Sequence, residues 1–328
     1  MTIRHATLTD PLCWAAVLAL SSMGNPATAA DRYPDKPIRI IVPSAPGGGP
    51  DTIARLVGAA LTDAWGRQVV TDYRAGAAGN IGAEIAARAA PDGYTLLVAS
   101  AQQVVAPLLF RNPPFNLIRD FLPVCWIVST PFVLVVNPSL PVTSVKELIT
   151  LAKAKPGQLN YGSSGTGGTL HFLTEMFRSM AGINIVHVPY KSSSYMHVDL
   201  AAGQVQLSIS ALPAAAPLIK QGKLRALAVT TPKRTPLAPE LPTIAETVPG
   251  YDMVGWYGLV APVKTPEAII AKLNAEIVKA VNSSDIQEKL LALGAEPVGS
   301  TPAEFAALLS KQAKAMRKTI EASGIRPE

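Results

Sequence analysis

Residues 38–61 read IRIIVPSAPGGGPDTIARLVGAAL, and this stretch sets the fold. Ile38, Ile40, Ile41 and Val42 form a β-branched run bounded by Pro37 and Pro43, the pattern of a buried strand. After a Gly/Pro turn, Ile53, Leu56, Val57, Ala60 and Leu61 recur at helical spacing, and Pro50 falls in the first turn, where its missing N–H is tolerated. The unit is strand, glycine loop, helix. Its loop lies beyond the carboxyl end of the strand, where bare backbone N–H groups and the positive end of the helix macrodipole receive an anion. A tight turn that merely needs small residues has the same appearance. Repetition along the chain favours the anion site.

The same grammar recurs. Residues 68–73 read as a second strand and 74–80 (RAGAAGN) as a small-residue turn, after which Ile81, Ile85 and Ala89 mark a helix. A third strand, 94–100, is followed by the polar Ser100, Gln102 and Gln103. Further on, a strand over 132–136 leads to a helix over 145–154 capped by Thr143 or Ser144. A strand over 159–162 then runs into Ser163-Ser164-Gly165-Thr166-Gly167-Gly168-Thr169 and a helix over 170–180. Strands over 183–188, 205–209 and 224–229, a helix over 195–202, an extended segment 251–261 and amphipathic helices over 266–281 and 302–322 complete the pattern. It predicts an α/β fold with mostly parallel sheets flanked by helices, and a ligand crevice at the strand carboxyl ends. The middle third forms its own α/β unit before the chain returns. Two lobes are therefore expected, residues 31–130 with 251–328 and residues 131–250, with a small molecule held in the cleft between them.

Residues 1–30 stand apart. Arg4 and His5 precede an apolar run over 12–20, and Pro26-Ala27-Thr28-Ala29-Ala30 has the small-residue pattern of a signal peptide cut after Ala29 or Ala30. The run is shorter than the roughly 20 residues that span a bilayer. Cys13 would leave with it, and Cys125 alone makes no internal disulfide. The remaining ~300 residues suffice for two lobes. The formal charge of +6 suits an acidic small molecule or, equally, a solvated basic face. No basic run with interleaved aromatics is present, so nothing argues for nucleic acid.

Chemistry is poorly supplied. Gly47, Gly48 and Gly49 are not followed by Gly-Lys-Ser/Thr, and the dinucleotide spacing fails because its third glycine position is Thr52 in the first loop and Leu170 in the second. Gly162-Ser163-Ser164-Gly165 approaches a nucleophile elbow, but the closing glycine is replaced by Thr166. Histidines after the signal are His171, His187 and His197, and none follows Asp199. His171 falls on the helix after the second loop, near the cleft, whereas His187 reads as a satisfied core or edge histidine. Neither spacing is that of a metal site. No cofactor is expected. The reading that needs no catalysis has two glycine loops, one per lobe, pinching a carboxylate between helix N-termini worth about 0.3–1 kcal/mol each, with backbone and hydroxyl hydrogen bonds adding to them.

Val42-Pro43…Pro46-Gly47-Gly48…Asp51…Ala54-Arg55, Gly79-Asn80-Ile81-Gly82, Asp92-Gly93-Tyr94-Thr95, Tyr161-Gly162-Ser163-Ser164-Gly165…Gly167…His171, Val188-Pro189-Tyr190-Lys191, Leu241-Pro242-Thr243 and Trp256-Tyr257-Gly258-Leu259 together resemble the Bug family of extracytoplasmic solute receptors of tripartite tricarboxylate transporters. The resemblance runs through nearly the whole chain after residue 30. It implies a two-lobed periplasmic binding protein, type II-like and monomeric, that hands a carboxylated solute to membrane permease subunits. It also implies a ligand carboxylate held between the two glycine loops, with Gly47, Gly48 and Gly49 as backbone donors and Ser163, Ser164, Thr166 and Thr169 as hydroxyl or backbone donors. Ser44 stands where the family commonly has phenylalanine, Gly168 where Ser or Thr is usual, and 192–196 (SSSYM) where Gly-x-x-Pro is usual. Asn80, Ser100, His171 and Asp199 are expected to shape the ligand site. Asp51 is read either as a helix cap or as a ligand residue, and Asp199 either as a partner for a ligand ammonium or hydroxyl or as a surface helix residue. Alternative functions are a receptor that feeds a sensor and an α/β hydrolase using Ser164.

Overall fold

The computed structural model describes residues 32–105, 108, 114–166 and 168–323. The expected export signal with Cys13, and Gly167 of the second loop, lie outside them. In chain order the elements begin with β1 (Ile38–Val42), α1 (Gly49–Trp65), β2 (Val69–Tyr73), α2 (Asn80–Ala87), β3 (Thr95–Ser100), α3 (Ala101–Val105), α4 (Leu117–Asp120) and β4 (Phe121–Thr130). The middle of the chain supplies β5 (Phe132–Val136), α5 (Val145–Ala154), β6 (Asn160–Ser163), α6 (Thr169–Ala181), β7 (Val186–Pro189), α7 (Ser193–Ala201), β8 (Leu207–Ala211), α8 (Leu212–Lys220) and β9 (Arg225–Val229). The chain closes with β10 (Gly255–Pro262), α9 (Glu267–Val281), α10 (Ser284–Ala292), β11 (Glu296–Pro297) and α11 (Pro302–Ser323).

Two sheets result, ordered β11-β4-β10-β3-β1-β2 and β7-β6-β8-β5-β9. Both are mixed. In the first, β1 runs parallel to β2 and β3 while β10, β4 and β11 pair antiparallel. In the second, β6 runs parallel to β7 and β8 while β5 is antiparallel to β8 and β9. The expectation of mostly parallel sheets is corrected accordingly, and the reason lies in how the chain changes sheet. β4 pairs along β10 from Phe121 opposite Pro262 to Thr130 opposite Gly255, and β10 meets β3 with Tyr257 opposite Ser100. So β4 leaves its sheet at the end where β3 finishes. After Pro131 alone, the chain enters the second sheet as β5, with Phe132 opposite Ala211 at the carboxyl end of β8. A strand entering at that end has to run against its parallel neighbours. The return passage lies alongside, Thr230 N–H donating to Phe132 O (3.0 Å) and Met253 N–H to Thr230 O (3.2 Å). The carboxyl ends of β1, β2 and β3 and those of β6, β7 and β8 therefore flank one crossing.

The alternation within β1 and β3 explains their burial. Ile38, Ile40, Val42, Leu96 and Val98 pack with Ile53, Val57 and Leu61 of α1, while Ile41, Leu97 and Ala99 face the opposite core with Trp256 and Phe305. Trp256 Nε1–H donates to Gln312 Oε1 (2.7 Å) and its ring meets Phe305 edge-on, which ties α11 to the sheet. Cys125 is buried on β4, where burial pushes its thiol up to about 12.

Candidate functional site

The loop after β1 is held by Asp51. Gly47 adopts φ +87°, a conformation that favours glycine, and its N–H donates to Asp51 Oδ2 at 2.7 Å. Asp51 is only 4% exposed and also accepts from Arg55 Nε and Tyr73 OH, each at 2.7 Å. Burial alone would raise this carboxyl's pKa, but the Gly47, Arg55 and Tyr73 donors hold it below the ordinary range. Asp51 is not the helix cap, a place taken by Gly48, and its oxygens are taken up by Gly47, Arg55 and Tyr73, so it locks the loop from within the first helical turn, a role neither reading named. The Gly47 N–H, expected to meet the ligand, is committed to that lock. Helix α1 starts at Gly49 with Gly48 as N-cap and no side-chain cap. Among the described residues no protein acceptor meets the N–H groups of Gly48 and Gly49. The half-buried Ser44 donates to the adjacent Ala45 O at 3.3 Å.

The loops after β2 and β3 close against the first. Asn80 opens α2, is 5% exposed, and its Oδ1 is the buried side-chain oxygen left without a partner among the described residues. Ser100 N–H and Oγ–H both donate to Gln103 Oε1 at 2.9 Å, which ties the end of β3 to α3. A Cβ on Gly79 would stand 2.7 Å from Gln103 Nε2 and 3.1 Å from Pro43 O, so all three loops form one surface. Gln103 was visible in the sequence only as one of several polar residues after a strand.

The second loop is fixed from beneath. Ser163 is fully buried, its Oγ 2.7 Å from His187 Nε2 and 3.2 Å from the Gly165 N–H, which donates to it. The His187 ring stacks on His171 at 3.9 Å and on Tyr161 at 4.9 Å. Tyr161 OH donates to Glu175 Oε1 (2.5 Å), and Glu175 takes a bidentate pair from Arg178. Burial, then the neighbouring His171, pushes His187 down to about 4, and burial likewise lowers His171. Both rings are neutral at neutral pH. Three expectations change. Ser163 serves the loop's own geometry, His171 is a buried stacking partner instead of a cleft residue, and the histidine at the loop pairs with Ser163, not with the Ser164 of the hydrolase reading. His187 is the satisfied histidine that its position in a strand suggested.

Above this layer lie the remaining donors. Gly168 is the N-cap of α6, again with no side-chain cap. The hydroxyls of Ser164, Thr166 and Thr169 make no hydrogen bond among the described residues, and all three are at least partly exposed. Asp199 on α7 accepts from Tyr190 OH at 2.9 Å, and burial with this carboxylate raises that phenol to about 12. The candidate donors are therefore Gly48 and Gly49 beside one sheet and Ser164, Thr166, Gly168 and Thr169 beside the other, on the two sides of the Pro131 crossing. Both sets are hydrogen-bond donors without a side-chain cation, an arrangement suited to a carboxylate.

Comparison with known proteins agrees in kind. The family model described as tripartite tricarboxylate transporter family receptor matches residues 53–325. Protein BugT of Bordetella pertussis is 39% identical over 288 residues, 87% of this chain and 88% of that one. An R. palustris protein solved with adipate superposes with a TM-score of 0.75 and 40% identity, covering 90% of this chain and 100% of the other. MatC from Rhodopseudomonas palustris, solved with bound malate, gives a TM-score of 0.71 and 29% identity over 88% of this chain and 100% of its own.

Proposed function

Because the chain belongs to the tripartite tricarboxylate transporter family of periplasmic solute-binding receptors, we propose that it captures a small carboxylated solute between two lobes and delivers it to the permease subunits of a tripartite transporter. Residues 1–30 direct export. Residues 31–130 with 251–328 form one lobe, residues 131–250 the other, and the protein acts as a monomer without a cofactor. The observation that carries the reading is the pair of uncapped glycine N-termini, at Gly48–Gly49 and at Gly168, on either side of one crossing. Each offers open N–H groups and a helix dipole to an anion. Closure of the lobes would place both around one carboxylate and exclude water. The relatives that hold adipate and malate support a dicarboxylate of four to six carbons as the ligand.

Calorimetric titration of the purified protein with malate, adipate, citrate, benzoate and glutamate tests this. Saturable binding of at least one acid, and none of its amide analogue, is expected. A protein that takes up no acid from this panel after removal of co-purified ligand is not a carboxylate receptor of this kind.

A further inference from the structure

Tyr257 sits on β10 directly opposite Ser100, and residues opposite one another in an antiparallel pair share a face. That face carries α1, against whose core the Tyr257 ring packs. A Cβ built on Gly49 would stand 2.5 Å from Tyr257 Oη and 2.7 Å from Cζ, so the phenol fills the space where any other residue would carry its side chain. Glycine at 49 is thus a consequence of the tyrosine's position. The Oη makes no hydrogen bond among the described residues, and it is not one of their fully buried unpartnered atoms, so this partly buried phenol keeps a free donor beside the helix N-terminus.

Distance makes this useful. Within one residue Cβ lies about 2.5 Å from N, which puts Oη at most about 5 Å from the Gly49 nitrogen. One oxygen accepting from the Gly49 N–H at about 2.9 Å is then also within reach of the phenol. From this geometry we infer that Tyr257 is a ligand-binding residue, its hydroxyl completing with the Gly48 and Gly49 N–H groups a three-donor pocket for one ligand carboxylate. The inference rests on the carboxylate-receptor reading above. Burial raises the phenol's pKa, so it stays a donor throughout the neutral range and never presents a competing negative charge. A neutral O–H donating to a carboxylate belongs to the stronger, charge-assisted class of hydrogen bond.

The test is Tyr257→Phe, which keeps the ring against Gly49 and removes only the hydroxyl. Titration with malate and adipate should show the dissociation constant of whichever acid binds the wild type rising about tenfold or more, with an unchanged melting temperature in the absence of ligand. Wild-type affinity in Tyr257→Phe, within about twofold, overturns the assignment and leaves the receptor reading standing. A wild type that binds no acid overturns both.

Discussion

The Gly47 N–H donates to Asp51 Oδ2 at 2.7 Å, so the first glycine loop closes on the first turn of its own helix instead of presenting all its donors outward. With Arg55 and Tyr73 the carboxylate has three donors and almost no exposure. Asp51→Asn should therefore destabilise the protein by about 1–3 kcal/mol through loss of charge-assisted bonds. Because the folded-state carboxyl is held below its ordinary pKa, its contribution is full above pH about 3.8 and is lost as the pH falls below it. Urea unfolding of both proteins at pH 7 and pH 3 measures this. Equal stability at pH 7 would show that the lock is ornamental.

Adjacent serines in the second loop should behave oppositely. Ser163→Ala removes a buried hydroxyl bonded to His187 and is expected to lower the melting temperature by several degrees. Ser164→Ala should leave stability within ~0.5 kcal/mol but weaken carboxylate binding about three- to tenfold. Thermal melts and titrations of the two variants, side by side, separate the roles. Identical phenotypes would mean that the loop has no inner and outer face.

His187 makes stability depend on pH. Unfolded, this imidazole takes up a proton near its ordinary 6.5, but in the fold only near 4, because burial and then His171 oppose the charge. Between those values the unfolded chain binds more protons, so stability falls as pH is lowered from about 6.5 to about 4. His187→Gln should flatten part of that slope, while His171 and His197 retain the rest. Urea midpoints at pH 7, 5.5 and 4.5 report it, and parallel curves for the two proteins would refute the coupling.

Gly48→Asp should divide stability from function. Gly48 has φ −87°, and a Cβ there meets nothing closer than 3.7 Å, so aspartate fits, and aspartate is a favoured N-cap. The variant should melt at or above the wild-type temperature yet bind no carboxylate, since its own charge sits where the ligand's would. Retained binding in a calorimeter would remove the first loop from the site.

What the sequence made legible was local. β1, its glycine loop and α1 were readable because β-branched residues, glycines and helical spacing follow one another within two dozen positions. β4 was not, since Pro123, Trp126 and Ser129 interrupt its apolar run and its partner β10 lies more than a hundred residues away. Separation along the chain likewise hid the antiparallel pairing of β5 with β8 and β9. In the site, the open donors at Gly48, Gly49, Ser164, Thr166 and Thr169 follow from the motifs, but the layer that holds them does not. Ser163 meets His187 across 24 positions between parallel strands, and Asp51 in the first turn of α1 meets Tyr73 at the end of β2 across 22, pairings that no spacing announces. Tyr257 lay inside a quoted motif, yet only its register opposite Ser100 brings it to Gly49.

A single residue, Pro131, separates the last strand residue of one sheet from the first of the other. Its ring fixes one torsion, and the return passage is bonded to it through Phe132, Thr230 and Met253. The crossing does not hold the two sheets alone: one continuous core runs beneath both, with Leu97 and Val260 of the first sheet in the same cluster as Leu134 and Ile209 of the second, so a strain at either glycine loop is shared by the strands of both.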